Sequence, residues 1–271
     1  MPELPEVETT RIGIAPYVVG ELVTDVIVRE KRLRWPVPNQ LKQQLTGQTI
    51  NRLQRRAKYL LFYTKTGCML LHLGMSGSLR ILEKDSPFSK HDHVDIVFES
   101  ERCLRLRDPR RFGSIHWIKD DPFNFKLINH LGPEPLSDNF NGDYLFKKSR
   151  GRKQTIKTFI MDSRIIVGVG NIYANETLFA AHINPKRKAG NISRQRYIKL
   201  ADAIKNVLGE ALKQGGTTLR DFVNSNGQPG YFRYKLQVYG LAEKPCINCA
   251  AIIKLERIGQ RSTFYCPRCQ R

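Results

Sequence analysis

Apolar positions over the first 120 residues follow two periods. Leu4, Val7 and Ile14, with Arg11 between them, recur at steps of three and four, which predicts one half-buried helix. Pro5 suits its first turn, Glu6 and Glu8 suit its positive end, and the helix is expected to end before Pro16. Short β-rich runs follow at 22–29, 50–56, 59–64, 68–73, 78–82, 93–98, 103–107 and 114–118. Turn formers separate them, among them Thr66-Gly67, Ser76-Gly77, Asp108-Pro109 and Gly113. This cadence predicts a β-sandwich with a helix beside it.

The texture changes after Gly132-Pro133-Glu134-Pro135, the best candidate for a linker. Helical periods then cover 142–149, 154–161, 171–182 and 193–214, and Gly215-Gly216 should stop the last. The stretch 224–234 is rich in turn formers and reads as a loop. At the end of the chain Ile252, Ile253, Lys254 and Leu255 alternate toward a turn at Gly259-Gln260, and Thr263, Phe264 and Tyr265 return from it. No internal repeat or low-complexity tract is visible.

Composition narrows the class. With 271 residues, 41% of them hydrophobic, the chain can bury cores in two domains of ordinary size. No run of about 18 apolar residues predicts a membrane helix. The start, MPELPEVE, has no apolar h-region, so a reducing cytoplasm is expected. The net charge of +20 is uneven: residues 1–143 hold 21 Lys and Arg against 18 Asp and Glu, and residues 144–271 hold 24 against 7. Such asymmetry in a folded half points to a polyanionic partner. A ribosome-associated protein fits the charge as well.

Four cysteines carry the strongest motif. Cys246-x-x-Cys249 and Cys266-x-x-Cys269 have the spacing of a tetrahedral zinc site, the alternative being two disulfides. Lys254, Arg257 and Arg261 put cations on the hairpin between the pairs. Pro2, once Met1 is removed, offers a secondary amine, and α-amino groups titrate near ~8, well below lysine. Glu3 and Glu6 are candidate acid/base groups or ordinary first-turn carboxylates. Gly168-Val169-Gly170-Asn171 reads as a helix start, with Asn171 as its cap and free amides facing an anion, or as a plain turn between packed helices. Met75 and Phe112 lie on tight turns, where they are either core residues or wedges for a base stack, and Arg110 can take an extruded base's place. Arg55, Arg56 and Lys58 track phosphates or form a solvated strand edge, and His91 and His93 read as structural or phosphate-directed, not metal-binding.

Taken together, these motifs resemble the formamidopyrimidine-DNA glycosylase family of bacterial base-excision repair. The marks are PELPEVET at 2–9, RRAKYL around Lys58, HLGMSG around Met75, KHDHVD at 90–95, DPRRFG around Arg110, GVGNIYANE at 168–176, LQVYG at 236–240 and the cysteine pairs. The sister endonuclease VIII family usually starts PEGPE, and Leu4 here favours the purine enzymes. The resemblance implies an α+β multidomain protein: an N-terminal β-sandwich catalytic domain over 1–135, a linker and start of the helical domain over 136–150, a helix–two-turns–helix domain over 151–235 and a β-hairpin zinc finger over 236–271. It implies Pro2 as nucleophile, Glu3 as general acid/base and Lys58 as a catalytic aid. His91, Arg110, Lys157, Asn171 and Arg261 fall on DNA-binding positions. Met75, Arg110 and Phe112 match a triad that fills the gap left by a flipped nucleotide, with Arg110 facing the orphaned cytosine. Glu6, Thr217 and Tyr231 are placed near the extruded base. One structural zinc ion on the four cysteines, double-stranded DNA with oxidised purines as partner, a monomer without obligatory protein partner, and no membrane association complete the expectation. An oxidised-pyrimidine glycosylase and a non-catalytic zinc-dependent binder of damaged DNA are the rivals.

Overall fold

A computed structural model of the chain describes residues 2–215 and 236–271. They fall into two compact units: one holds the residues up to Asn129, the other His130–Lys213 and the C-terminal stretch from 236.

The first unit opens with α1 (Leu4–Val18), whose buried face carries Leu4, Val7, Ile14 and Val18. The helix passes through Pro16 instead of ending before it. Proline cannot supply the bond to the carbonyl four residues back. Here that position is Ile12, a residue on the exposed side of the helix, while Val18, two residues past Pro16, is buried and anchors the end. Eight strands follow: β1 (Val23–Val28), β2 (Arg52–Arg56), β3 (Tyr59–Tyr63), β4 (Cys68–His72), β5 (Ser78–Glu83), β6 (Asp92–Phe98), β7 (Arg102–Arg107) and β8 (Ser114–Ile118). All eight lie within a residue or two of the runs read from the sequence. A short helix, α2 (Leu41–Leu45), carries no capping side chain and was not legible in the pattern.

The strands form two antiparallel four-stranded sheets, ordered β1-β6-β7-β5 and β2-β3-β4-β8. One hydrophobic core joins them, with Val94, Ile96, Leu104 and Leu106 from the first, Leu60, Phe62, Met69 and Leu71 from the second, and Val7, Ile14 and Val18 from α1. This is the expected sandwich. Polar residues on the other face of β6 and β7 are buried too. Arg105, 2% exposed, makes a paired contact to Asp95 at 2.9 and 2.8 Å, and Arg29 reaches the same carboxylate at 2.7 Å. Burial alone would raise the Asp95 pKa, but the two guanidiniums hold it below the usual value.

The second unit contains α3 (Gly142–Ser149), α4 (Ile156–Ile160), α5 (Asn171–Ala180), α6 (Arg194–Lys213) and the hairpin β9 (Lys254–Ile258) and β10 (Arg261–Tyr265). α6 packs along α3 and α5, burying Tyr197, Leu200, Ile204 and Leu208. The hairpin turns through Gly259 (φ 55°) and Gln260 (φ 60°), the doubly left-handed geometry that suits a two-residue hairpin loop.

Candidate active site

The N-terminus is built by a reciprocal cap. Glu3 precedes the first turn of α1; its side chain accepts from the Glu6 backbone, and the Glu6 Oε2 accepts from the Glu3 amide at 2.8 Å. A capping box satisfies two end amides at once, here with two carboxylates that are each 2% exposed. Pro2 is buried just ahead of them. Thus Glu6, expected near an extruded base, holds the backbone beside Pro2. One turn on, Glu8 accepts from Arg11 at 2.9 Å and from Arg55 at 2.8 Å. Burial pushes the Glu8 pKa up, yet these two arginines bring it below the ordinary value. Arg55 also donates to the Ala57 carbonyl at 3.0 Å. It therefore ties α1 to the β2–β3 turn, where Ala57 (φ 55°) sets out Lys58. Arg55 reads as a clamp more than as a phosphate tracker.

His72 borders both this turn and the next group. Its ring lies 4.8 Å from that of Tyr59, and its Nδ1 accepts from the Gly74 amide at 3.0 Å. Withdrawal from solvent, with Lys58, Arg34 and His116 adding positive charge, pushes its pKa down to about 4. The ring is therefore neutral at pH 7, with its proton on Nε2.

Met75, Arg110 and Phe112 sit on two adjoining turns. Gly74 (φ +65°) presses on the Phe112 backbone so closely that a Cβ there would lie 2.3 Å from the Phe112 carbonyl carbon. Phe112 is 43% exposed, which favours the wedge over the core, and the Arg110 guanidinium stands 4.9 Å from its ring centre. Asp108, wholly buried, links the turns: Ser76 Oγ donates to one carboxylate oxygen and the Gly113 amide to the other, both at 2.7 Å. His93 Nε2 donates to the Asp108 carbonyl at 2.7 Å, and the Asp108 amide donates to the His91 carbonyl at 3.0 Å. His93 is thus structural, and His91 joins this group.

Lys157, Asn171 and Arg261 meet at the hairpin. Lys157 is wholly buried, with Nζ donating to the Ser262 carbonyl at 2.8 Å and Thr263 Oγ1 at 2.7 Å. Its ammonium supports the strand beside exposed Arg261 instead of facing solvent. Asn171 was expected to cap α5; Gly170 holds the cap position instead, in extended conformation, and Asn171 is the first helical residue. Its side chain is freed to donate to the Ser262 carbonyl at 3.0 Å, leaving Oδ1 buried without a partner among the described residues. Two further residues escaped the sequence reading. Asn175 Oδ1 accepts from the Phe264 amide at 2.7 Å, and Glu176 accepts from the amides of Gln237, Val238 and Tyr239 at 2.9, 3.0 and 2.8 Å. Burial raises the Glu176 pKa against the pull of those three amides. The available signal was a polar run, Asn175, Glu176 and Thr177, four to six positions after Asn171 on a helix otherwise apolar beyond its first residue.

The four cysteine sulfurs lie within 4.8 Å of one another; Cys246 and Cys269 are 3.9 Å apart, Cys249 and Cys266 3.5 Å. Thiolates about 2.3 Å from a tetrahedral zinc ion stand ~3.8 Å apart, so this set fits one zinc ion and leaves no ligand position for a catalytic water. The Ala251 amide already holds the Cys249 thiol down at about 7. Thr217 and Tyr231 lie outside the described residues.

Comparison with known proteins covers the whole chain. Residues 1–115 match the formamidopyrimidine-DNA glycosylase N-terminal domain, 131–223 the H2TH domain of the same proteins, and 243–271 the zinc finger found in FPG and IleRS. The chain is 56% identical over 271 residues to the formamidopyrimidine-DNA glycosylases of Syntrophotalea carbinolica and Pseudomonas putida, covering all of both chains in each case. The crystal structure of the FPG protein from Thermus thermophilus is 34% identical, with a TM-score of 0.90 over 99% of this chain and 98% of that one. The Lactococcus lactis Fpg complex with abasic-site DNA is 33% identical, with a TM-score of 0.92 over 99% of each chain. That protein's complex with Fapy-dG DNA gives 33% and 0.91, over 99% of this chain and 100% of that one.

Proposed function

Because the chain belongs to the formamidopyrimidine-DNA glycosylase family, we propose that it excises 8-oxoguanine and formamidopyrimidines from duplex DNA and then cleaves the abasic site. The observation that carries the chemistry is the N-terminal cap, two buried carboxylates interlocked immediately after Pro2. With Met1 removed, the Pro2 nitrogen lone pair attacks the anomeric carbon. The bond to the base breaks, and the base leaves with the proton that the attacking Pro2 nitrogen gives up. Glu3 protonates the ring oxygen as the sugar opens, giving an iminium joined to Pro2. A secondary amine cannot shed this charge by forming a neutral imine. The neighbouring carbon is therefore acidified, and loss of its proton expels the 3′ phosphate by β elimination; δ elimination then expels the 5′ phosphate. Lys58, on the turn that Arg55 ties to α1, assists near the damaged base.

Asn171 and Arg261 grip the backbone at the lesion, with Lys157 holding the hairpin that presents Arg261. His91 adds a phosphate contact. Met75, Arg110 and Phe112 fill the vacated stack, offsetting part of an extrusion cost of a few kcal/mol, and Arg110 faces the orphaned cytosine. Glu6, Thr217 and Tyr231 serve the extruded base. The protein works as a monomer without an obligatory protein partner, in the bacterial cytoplasm.

Borohydride reduction during reaction with 8-oxoguanine duplex should fix a covalent protein–DNA adduct, and peptide mapping should place it on Pro2. Pro2→Gly should lose most base excision while keeping DNA affinity. An adduct on a lysine, or full repair by protein that retains Met1, refutes the scheme.

A further inference from the structure

We propose that Asp108 and Ser76 are positioning residues that aim Arg110 at the base opposite the lesion and so set the enzyme's opposite-base selectivity. This rests on the role given to Arg110 above. Asp108 is 0% exposed and Ser76 3%. Burying a carboxylate is costly unless its lone pairs are occupied. Here Ser76 Oγ occupies one oxygen and the Gly113 amide the other. The same Ser76 oxygen accepts from the Arg110 amide at 3.1 Å. The bonds therefore run in series, from the Arg110 N–H to the Ser76 hydroxyl and from that hydroxyl to Asp108. Each bond polarises the next, in a setting that excludes water.

The connection grips the 108–113 turn at two points, Arg110 and Gly113, and joins it to the turn that carries Met75. The Asp108 main chain is held at both its amide and its carbonyl: the amide donates to the His91 carbonyl, just before β6, and the carbonyl accepts from the His93 ring on β6. Gly74 has no room for a Cβ against Phe112, and a Cβ on Gly113 would lie 2.9 Å from the His72 carbonyl and 3.0 Å from Asp108 Oδ2. Met75, Arg110 and Phe112 consequently stand on one rigid block. The Arg110 side chain is exposed, so the direction in which it leaves the backbone is set at its own amide, the atom Ser76 holds. Opposite-base reading by a planar guanidinium depends on such aim, because its hydrogen bonds weaken steeply off axis.

A brace that only stapled the fold would lower stability and leave selectivity unmoved. The two are separated by the ratio of kcat/KM for 8-oxoguanine opposite cytosine to that opposite adenine, measured on one preparation, since the folded fraction cancels. Ser76→Ala should lower the ratio about fivefold, the factor one lost hydrogen bond is roughly worth. Arg110→Ala should lower it at least as far, and the double variant no further, as expected for residues that act through one another. Should Ser76→Ala yield no folded protein, Ser76→Cys, nearly isosteric but a weak donor, should show the same fall. Excision by the wild type with a ratio unmoved in the serine variants, or additive losses in the double variant, overturns the brace alone. A wild type that excises from neither duplex overturns the parent reading and the brace's role together.

Discussion

At the scale of single residues, the site depends on groups whose protonation the fold decides. His72 shows how. Its Nδ1 must stay unprotonated to accept from Gly74, and its pKa is pushed down to about 4 from 6.5. An unfolded chain binds this proton below pH 6.5, whereas the folded chain resists until about 4. The stabilisation is thus complete above 6.5 and is lost progressively as pH falls toward 4. Between those limits unfolding should take up roughly one extra proton from this residue. Urea unfolding of wild type and His72→Asn at several pH values should show the slope shrink in the variant; equal slopes would mean that His72 titrates normally. Little of this was legible beforehand. The motif HLGMSG marked Met75, but the role of its histidine depends on Tyr59, Lys58 and Arg34, which reach it from other parts of the chain.

Among the elements, the zinc hairpin is the least self-sufficient. Two strands alone are marginal in water. Its core is small: Val238, Ile253, Cys246 and Cys266 gather around Phe179 of α5. Metal binding must therefore supply much of its folding free energy. Cys246→Ser should lose the one zinc per chain and DNA affinity together, read by metal analysis and by titration with abasic duplex. Full affinity without metal would remove the structural role of the ion. α5 supports the hairpin through Asn171 and Asn175, and the segment leading into the finger through Glu176, which accepts from the amides of residues 237–239. The cysteine spacing announced the metal site in advance because a tetrahedral ion needs short loops of set length. The supports stayed hidden because a polar residue on a helix reads as solvent-facing until its neighbours are known.

Over the whole molecule, charge is the dominant quantity. Of the +20 net charge, residues 144–271 carry 24 basic against 7 acidic groups. Several of these cations are already engaged, including Lys157 at the hairpin and Arg194 with Asp143 at 2.6 Å. The remainder should release counterions from DNA. The logarithm of affinity for undamaged duplex should fall linearly with the logarithm of salt concentration, by about 0.9 for each phosphate neutralised. A slope near zero would show that the basic surface does not serve DNA. Replacing Arg261 with Ala should reduce the slope by about one, as a single phosphate contact requires.

The order and kind of the elements other than α2, the zinc ligands, the basic half and the family were all written in linear order. Each depends on spacing or composition within a short stretch, or on motifs that keep their succession. Three-dimensional packing alone decided that Asn171 bonds the hairpin while Gly170 caps, that Lys157 is buried, that α1 survives Pro16, and that Asp108 and Ser76 bind two turns into one block. These outcomes depend on which groups from distant segments share a buried space. There an unsatisfied donor or acceptor is too costly to leave, and no local pattern can say which partner will arrive.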